Sequence, residues 1–496
     1  SFLLGTAACV AAGISTAAGI TASAIVSGGA SLVFMIGGIG AFIFNHLEKK
    51  SHTPPTNFMG LGQREHGAPE LNTMAPNHSV IVAENGEEST FWKGEFLKHA
   101  KQSIEISGNF CGGEAFREAL RNIRSNMRQN VQLKVHLISS RDLLKHEDIQ
   151  LMKELSKEFP ERFQLLISDR KFEFFPRVHC HENHAKLVIV DEKLIVMGGT
   201  NFKDTFGKKV DGTEKFDRPK IKNPIDVLKT LFTVDFWRDN DIVVKGDIAK
   251  TLRLEFFKLF AIYSYKMKSN KFLVNRYFPI DPNRPIAQVP SFENHEKKID
   301  NVSIKAVVGS PRSSENGITE EYCRLLNQTK KWEEVWIGNL LFNPTSKLYQ
   351  AISNTVERGT NVKVVTNGIS NATPMSHFFI WPNRLRYYSL MKKAPKNNVK
   401  FYEFVKVPGA MYHSKTSVIG SKSIFSSYNL GKKSHYSDDE LALVVESEKV
   451  ASVVRNILRK DIQLSHKVTE AQAKKWRGPF GIIGRFENAV SARFAG

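Results

Sequence analysis

The chain has 496 residues, enough to bury more than one ordinary core, so two domains with additions are expected and a single domain is not. Lys and Arg number 70 against 50 Asp and Glu, a formal charge of +20 that favours polyanionic partners: phosphodiesters, nucleic acid or an anionic membrane surface. The four cysteines, Cys9, Cys111, Cys180 and Cys323, lack CxxC spacing, which argues against a disulfide framework or a structural zinc and fits a reducing compartment.

Residues 1–47 contain no Asp, Glu, Lys or Arg and no proline, and are rich in Ala, Gly, Ile and Val. One spanning helix needs about 20 apolar residues, so this length predicts a transmembrane hairpin, with small residues from Gly13 to Gly29 and Gly37 to Gly40 letting two helices approach. Lys49 and Lys50 follow at once and place the rest of the chain on the cytoplasmic side. The segment 48–76 turns polar, carries Pro54 and Pro55, has no periodicity, and reads as a linker.

After it the sequence repeats. QSIEISGNFCGGEAFREALRNIRSNMRQNVQLKVHLIS (102–139) reads as strand, loop, amphipathic helix, strand, and EEVWIGNLLFNPTSKLYQAISNTVERGTNVKVVTNGIS (333–370) has the same order. Each unit runs on through a helix-like stretch to a strand (FQLLIS, 163–168; VKFYEFV, 399–405) and then to a His-Lys pair. The expected fold is α/β, two tandem domains at 77–280 and 300–465 with mixed, largely parallel sheets, preceded by the transmembrane helices and followed by a basic tail at 466–496.

The pairs lie in HAKLVIVDEKLIVMGGTN (184–201) and HSKTSVIGSKSIFSSYN (413–429). His184, Lys186 and Asn201 match His413, Lys415 and Asn429, the second copy being one residue shorter before its asparagine. Strand alternation puts His and Lys on one face, where the ammonium can hold an anion while the imidazole addresses it. A phosphodiester repels nucleophiles, and histidine catalysis divides its displacement into two steps. One histidine can attack phosphorus while the other protonates the departing oxygen, and lysines and asparagine amides stabilise the added charge without a metal. Two copies would build one site between the halves.

With these motifs the sequence resembles the phospholipase D superfamily, whose signature is HxK followed by Asp and a Gly/Ser-rich Asn motif. It is similar in particular to bacterial cardiolipin synthases, through GGTN (198–201), WRDNDIVVKG (237–246), the stretch 309–344 and YHSKTSVIG (412–420). The resemblance implies a phosphohistidine intermediate and two catalytic domains behind a membrane hairpin. Donor and acceptor would both be phosphatidylglycerol, with glycerol leaving. It also implies that acids on the next strand, Asp239 and Glu440, orient the histidines, and that the signature aspartate, Asp191, supports the site. Gly420 stands where the second aspartate would be, and Ser426 and Ser427 replace the usual Gly-Ser, so His184, in the intact motif, is the expected nucleophile.

The resulting expectation is a phosphatidyltransferase of a bacterial inner membrane acting on anionic phospholipids, with no cofactor and no metal and an oligomeric state left open. A hydrolase, either phospholipase D or a nuclease acting on nucleic acid, would use the same residues; a non-catalytic membrane protein would keep only the fold. HCHENH (179–184) fits no zinc spacing and reads as polar loop at the site mouth. HFFIWPNRLRYYSLMKK (377–393) reads either as an interfacial helix on anionic lipid or as a packed amphipathic one, and 203–224 as an exposed charged loop.

Overall fold

Asn85 opens the first described helix, Gly86–His99: its side chain accepts from Glu88 N at 3.0 Å, with Glu87 and Glu88 in the first turn and Lys98 and His99 in the last. Asn316 does the same for helix Gly317–Gln328, accepting from Thr319 N at 3.1 Å, so the repeat extends to the caps. The computed structural model describes residues 68–140, 144–168, 182–210, 236–266, 280–368, 374–407 and 409–477.

The first half supplies β1 (Ala75–Ala83), β2 (Ser103–Gly108), β3 (Lys134–Ser140), β4 (Phe163–Ser168), β5 (Glu182–Asn183), β6 (Leu187–Val190), β7 (Leu194–Gly198), β8 (Phe236–Arg238) and β9 (Asp241–Lys245). The second supplies β10 (Ile299–Gly309), β11 (Glu334–Asn339), β12 (Asn361–Asn367), β13 (Val399–Phe404), β14 (Ala410–Tyr412), β15 (Lys415–Ile419), β16 (Lys422–Ser426), β17 (Asp438–Glu446) and β18 (Ser465–Lys467). From the centre outward the first half runs β1, β9, β7, β6, β2, β3, β4, and the second β10, β17, β16, β15, β11, β12, β13, β18. The first seven strands of each order correspond, β18 being an addition at the second edge, and the halves meet where β1 pairs antiparallel with β10, so one sheet crosses both.

The expectation of a largely parallel sheet is corrected. Parallel pairing within this sheet's main path is confined to β2, β3, β4 and to β11, β12, β13, where helices fill the connections. The strands around the His-Lys motifs and the seam are antiparallel, because β6 to β7 and β15 to β16 turn too tightly to admit a crossover. Val190 faces Leu194 across a three-residue turn, whereas Ile419 faces Lys422 across two residues; the second motif loses its one residue here, at the hairpin tip.

Beneath the sheet one apolar cluster takes residues from both halves, including Val80, Val82, Ile304 and Leu443, and is covered by helices Ile248–Lys266 and Glu448–Gln463. On the other face two clusters lie side by side, one under helices Gly86–His99 and Glu114–Gln129, the other under Gly317–Gln328 and Ser346–Glu357. The described residues fall in one compact unit.

Two expected boundaries move. β1 begins at Ala75, inside the predicted linker. The described part of the predicted tail is no tail: β18 pairs with β13, and helix Glu470–Arg477 packs on helix Pro374–Lys393, because Ala473 and Trp476 have apolar surface to bury. Among the described side chains of the 377–393 stretch, Tyr387 is buried and stacks on Phe401 at 4.3 Å, which is the packed reading of that helix. The predicted membrane segment lies outside the described residues, among which no helix is long and apolar enough to cross a membrane.

Candidate active site

Each histidine sits where its own strand meets a strand of the other half. β14 runs parallel to β8, and the Arg238 carbonyl accepts from His413 N at 2.8 Å. β5 runs parallel to β17, and the Asp439 carbonyl accepts from His184 N at 2.9 Å. The residue after each of those carbonyls is an acid, and it holds the imidazole: His413 Nδ1 to Asp239 Oδ2 at 2.6 Å, His184 Nδ1 to Glu440 Oε1 at 2.9 Å. Asp239 and Glu440 each hold the histidine of the opposite half.

Lys186 and Lys415 share the face of their histidines, Lys186 Nζ donating to the His184 carbonyl at 2.9 Å and Lys415 Nζ to the His413 carbonyl at 2.7 Å. Lys415 Nζ also lies 3.1 and 3.2 Å from the two ring nitrogens of His413. Asn201 Oδ1 accepts from Phe110 N at 3.1 Å, leaving its buried Nδ2 without a partner. Both amide atoms of Asn429 and the Nε2 of His184 are likewise buried and unpartnered. Unsatisfied buried polar atoms are costly, and these four belong to the residues of the two motifs.

Asp191 is not in it. At the far end of β6, in a left-handed conformation (φ 51°), its carboxylate accepts from Lys101 N, Gln102 N, Ser103 N and Ala287 N at 2.7–2.9 Å. It pins the hairpin tip to the start of β2, so its support reaches the site only through the fold.

Burial governs the charges. It lowers both histidines well below the usual range, with the neighbouring lysines adding to the effect. Burial brings Lys186 down to about 8 and Lys415 to about 7, and raises Asp239 and Glu440 to about 8 each. These groups therefore change charge close to neutrality, as acid and base chemistry requires.

Sequence reasoning missed a second ring of residues. Lys93, buried in helix Gly86–His99, donates to the Thr200 carbonyl at 2.7 Å and pairs with Asp241 at 3.0 Å. Asp241 also receives Thr200 N at 3.1 Å, which fixes the GGTN loop. Gly198 and Gly199 are needed there, since a Cβ on either would collide with Asp241 or Asp239. In the second half Ser427 does different work, donating its hydroxyl to Glu440. The alternation in WRDNDIVV could have pointed to Asp241; nothing in the sequence marks Lys93.

His184, Asp438 and Glu440 bring possible metal-ligand atoms within 4.8 Å of one another. The Lys433 ammonium already lies 3.0 Å from Asp438 and 2.9 Å from Glu182, and His184 Nδ1 is engaged by Glu440, so this donor set suits an ammonium better than a metal ion. Of the HCHENH stretch, Glu182 to His184 are described and the rest lies outside the described residues.

Comparison with known proteins agrees with this geometry. A family described as cardiolipin synthase, PLD-like domain, matches residues 322–462. Cardiolipin synthase 2 of Staphylococcus epidermidis is 22% identical over 314 residues, covering 63% of this chain and 53% of that protein. A cardiolipin synthase of Clostridium perfringens is 23% identical over 293 residues, 58% of this chain and 51% of the relative, so the match spans about half the length of these proteins. In fold, the crystal structure of phosphatidylserine synthase from Haemophilus influenzae superposes with a TM-score of 0.57 at 12% identity, covering 85% of this chain and 98% of that one. Through a domain match over residues 322–462 the chain is similar to the phospholipase D superfamily, and within it to cardiolipin synthases.

Proposed function

We propose that the protein is a membrane-bound phosphatidyltransferase, similar to cardiolipin synthase, that moves a phosphatidyl group between anionic phospholipids, phosphatidylglycerol being the expected donor and acceptor. The observation that carries this reading is the reciprocal hold of His184 by Glu440 and His413 by Asp239. A bond from each half to the other makes one site out of two copies. The predicted segment 1–47 would anchor the chain, with the catalytic body on the cytoplasmic side.

With Nδ1–H of His184 given to Glu440, the lone pair is on Nε2, the buried atom without a partner. That nitrogen attacks phosphorus; the bond to the leaving glycerol oxygen breaks, and that oxygen takes a proton from the His413–Asp239 pair. In the second step His413 accepts the proton of the acceptor hydroxyl, the new P–O bond forms, and the P–N electron pair returns to His184. Lys186, Lys415, Asn201 and Asn429 donate to the phosphoryl oxygens as charge builds. No cofactor enters the scheme.

The test is incubation of the detergent-solubilised protein with labelled phosphatidylglycerol, beside His184→Ala and His413→Ala. Cardiolipin and glycerol from the parent, with neither product from either variant, is the expected result. Phosphatidic acid alone would make the protein a hydrolase, and full activity in either variant would overturn the paired site.

A further inference from the structure

A transferase of this kind faces a competitor that its chemistry does not reject. Water can attack the same phosphohistidine, and it is present in vast excess over any lipid hydroxyl. Discrimination has to come from what surrounds the base that activates the attacking oxygen.

Two rings of the first half stand against His413 of the second. The Phe206 ring lies 5.1 Å from the imidazole at 80°, and the Trp237 ring 4.8 Å from it at 75°. They stack on one another at 5.2 Å and 5°, so both meet the same imidazole as one double plane. Phe206 is buried, whereas Trp237 is half-buried and forms the outer side of the pair. Among the described residues His184 has no ring of this kind against it.

The pair is held in place from several directions. Phe206 N donates to the Lys203 carbonyl at 2.9 Å and Trp237 N to the Thr205 carbonyl at 3.1 Å. Asp204, between them in sequence, accepts from Glu114 N at 3.1 Å and Ala115 N at 2.7 Å, capping helix Glu114–Gln129. The Phe206 carbonyl sits so close to Gly86 that any Cβ there would collide with it. The described part of the charged 203–224 stretch is therefore tied down to residue 210, unlike the exposed loop its composition suggests. Trp237 is further fixed by the pairing of β8 with β14.

We propose that Phe206 and Trp237 wall off the solvent side of His413 and thereby set the partition of the phosphoenzyme between an alcohol and water. The inference rests on the transferase reading above and names the part of the site that enforces it. An acceptor bearing an apolar body can cover this aromatic face and deliver its hydroxyl to His413; a lone water gains nothing from it. Removing the indole would open the approach to His413 and let water compete.

The experiment uses the full chain with bis(4-nitrophenyl) phosphate in ¹⁸O-enriched water containing 1-butanol, an alcohol with an apolar body. The labelled monoester from water is compared with the butyl diester by mass spectrometry. Trp237→Ala should shift the water-to-butanol ratio by about tenfold or more, Phe206→Leu by less, and Trp237→Phe should keep the parent ratio. A ratio equal in the parent and both disruptive variants, whatever the total rate, would overturn the wall, since a merely structural role lowers both products together. Thermal unfolding of each variant identifies any that fail to fold, and Trp237→Phe then carries the comparison with Phe206→Leu. If the parent makes cardiolipin and the ratio does not move, the wall alone fails. If the ratio moves but no cardiolipin forms, the lipid reading alone fails, and a parent inert toward both substrates rejects both.

Discussion

At the scale of single residues, the proposed mechanism gives the two acids unequal tasks because it gives the two histidines different ones. Asp239 serves the histidine proposed to give and take protons, Glu440 the one proposed to attack phosphorus. Asp239→Asn should lower kcat on phosphatidylglycerol by about 10²–10⁴, the usual worth of general acid–base catalysis, and much less on a nitrophenyl diester whose leaving group needs no proton. Glu440→Gln should depress both substrates alike, because it leaves the nucleophile in the wrong tautomer. Steady-state kinetics on the two substrates checks this, and equal loss in both variants would reverse or merge the roles. The lysines set the pH limit. Lys415 at about 7 and Lys186 at about 8 carry charge below those values and lose it above them. An anionic substrate needs that charge, so kcat/KM should fall as pH rises from about 7 through 8, the values of the free protein's groups. A profile level to pH values above 9 at constant ionic strength would contradict it.

At the scale of elements, the His-Lys-Asn triplets were legible because each is contiguous in sequence and its chemistry needs only strand alternation to read. The pairing of acids with histidines was not, because it depends on β8 lying beside β14 and β5 beside β17, contacts between segments more than 170 residues apart. The balance of parallel and antiparallel strands was misread for a related reason: the repeat of helices covers only three strands in each half. Hairpin tips show what a motif letter does physically. Asp191 takes four backbone N–H groups, whereas at the equivalent tip Gly420 (φ +59°) has no side chain, and Glu333 caps the local turn by accepting from Lys330 N at 2.7 Å. An added Cβ at 420 would stand 2.9 Å from Glu333 Oε1, so a carboxylate placed there meets another one. Gly420→Asp should therefore keep turnover, the tip being at the opposite end of β15 from Lys415, yet cost about 1–2 kcal/mol through left-handed strain. Denaturant unfolding of Gly420→Asp with and without Glu333→Gln checks it; a stabilised Gly420→Asp would show that the pinning of the first hairpin is transferable after all.

At the scale of the whole molecule, the site exists only while the halves are joined, and the join has two characters. Below the sheet it is apolar and continuous, so the halves fold against each other as layers of one core. Beside the site it is polar: Ser414 and Thr416 donate to Asn240 at 2.8 and 2.9 Å, and Tyr263 OH to Asp439 at 2.8 Å. A further polar link is Arg238, whose Nε donates to buried Asp461 at 2.7 Å and whose Nη1 donates to the half-buried Glu84 carbonyl at 2.6 Å. Its carbonyl also holds the backbone of His413 and Ser414, so one residue ties helix Glu448–Gln463 to the strand that carries the acid. Arg238→Ala strips the cationic partner from a buried Asp461, leaving its carboxylate the Tyr412 hydroxyl at 3.1 Å, and loss of one member of a buried pair costs about 3–5 kcal/mol. Arg238→Met with Asp461→Leu removes both charges and should recover most of that stability, because the expensive state is the unpaired carboxylate and not the missing bond. Activity should follow the same course. Arg238 O is a backbone atom, so the double variant should keep His413 in register and recover turnover along with stability. Recovered stability without turnover would mean that the guanidinium, not the strand pairing, aligns His413 with Asp239.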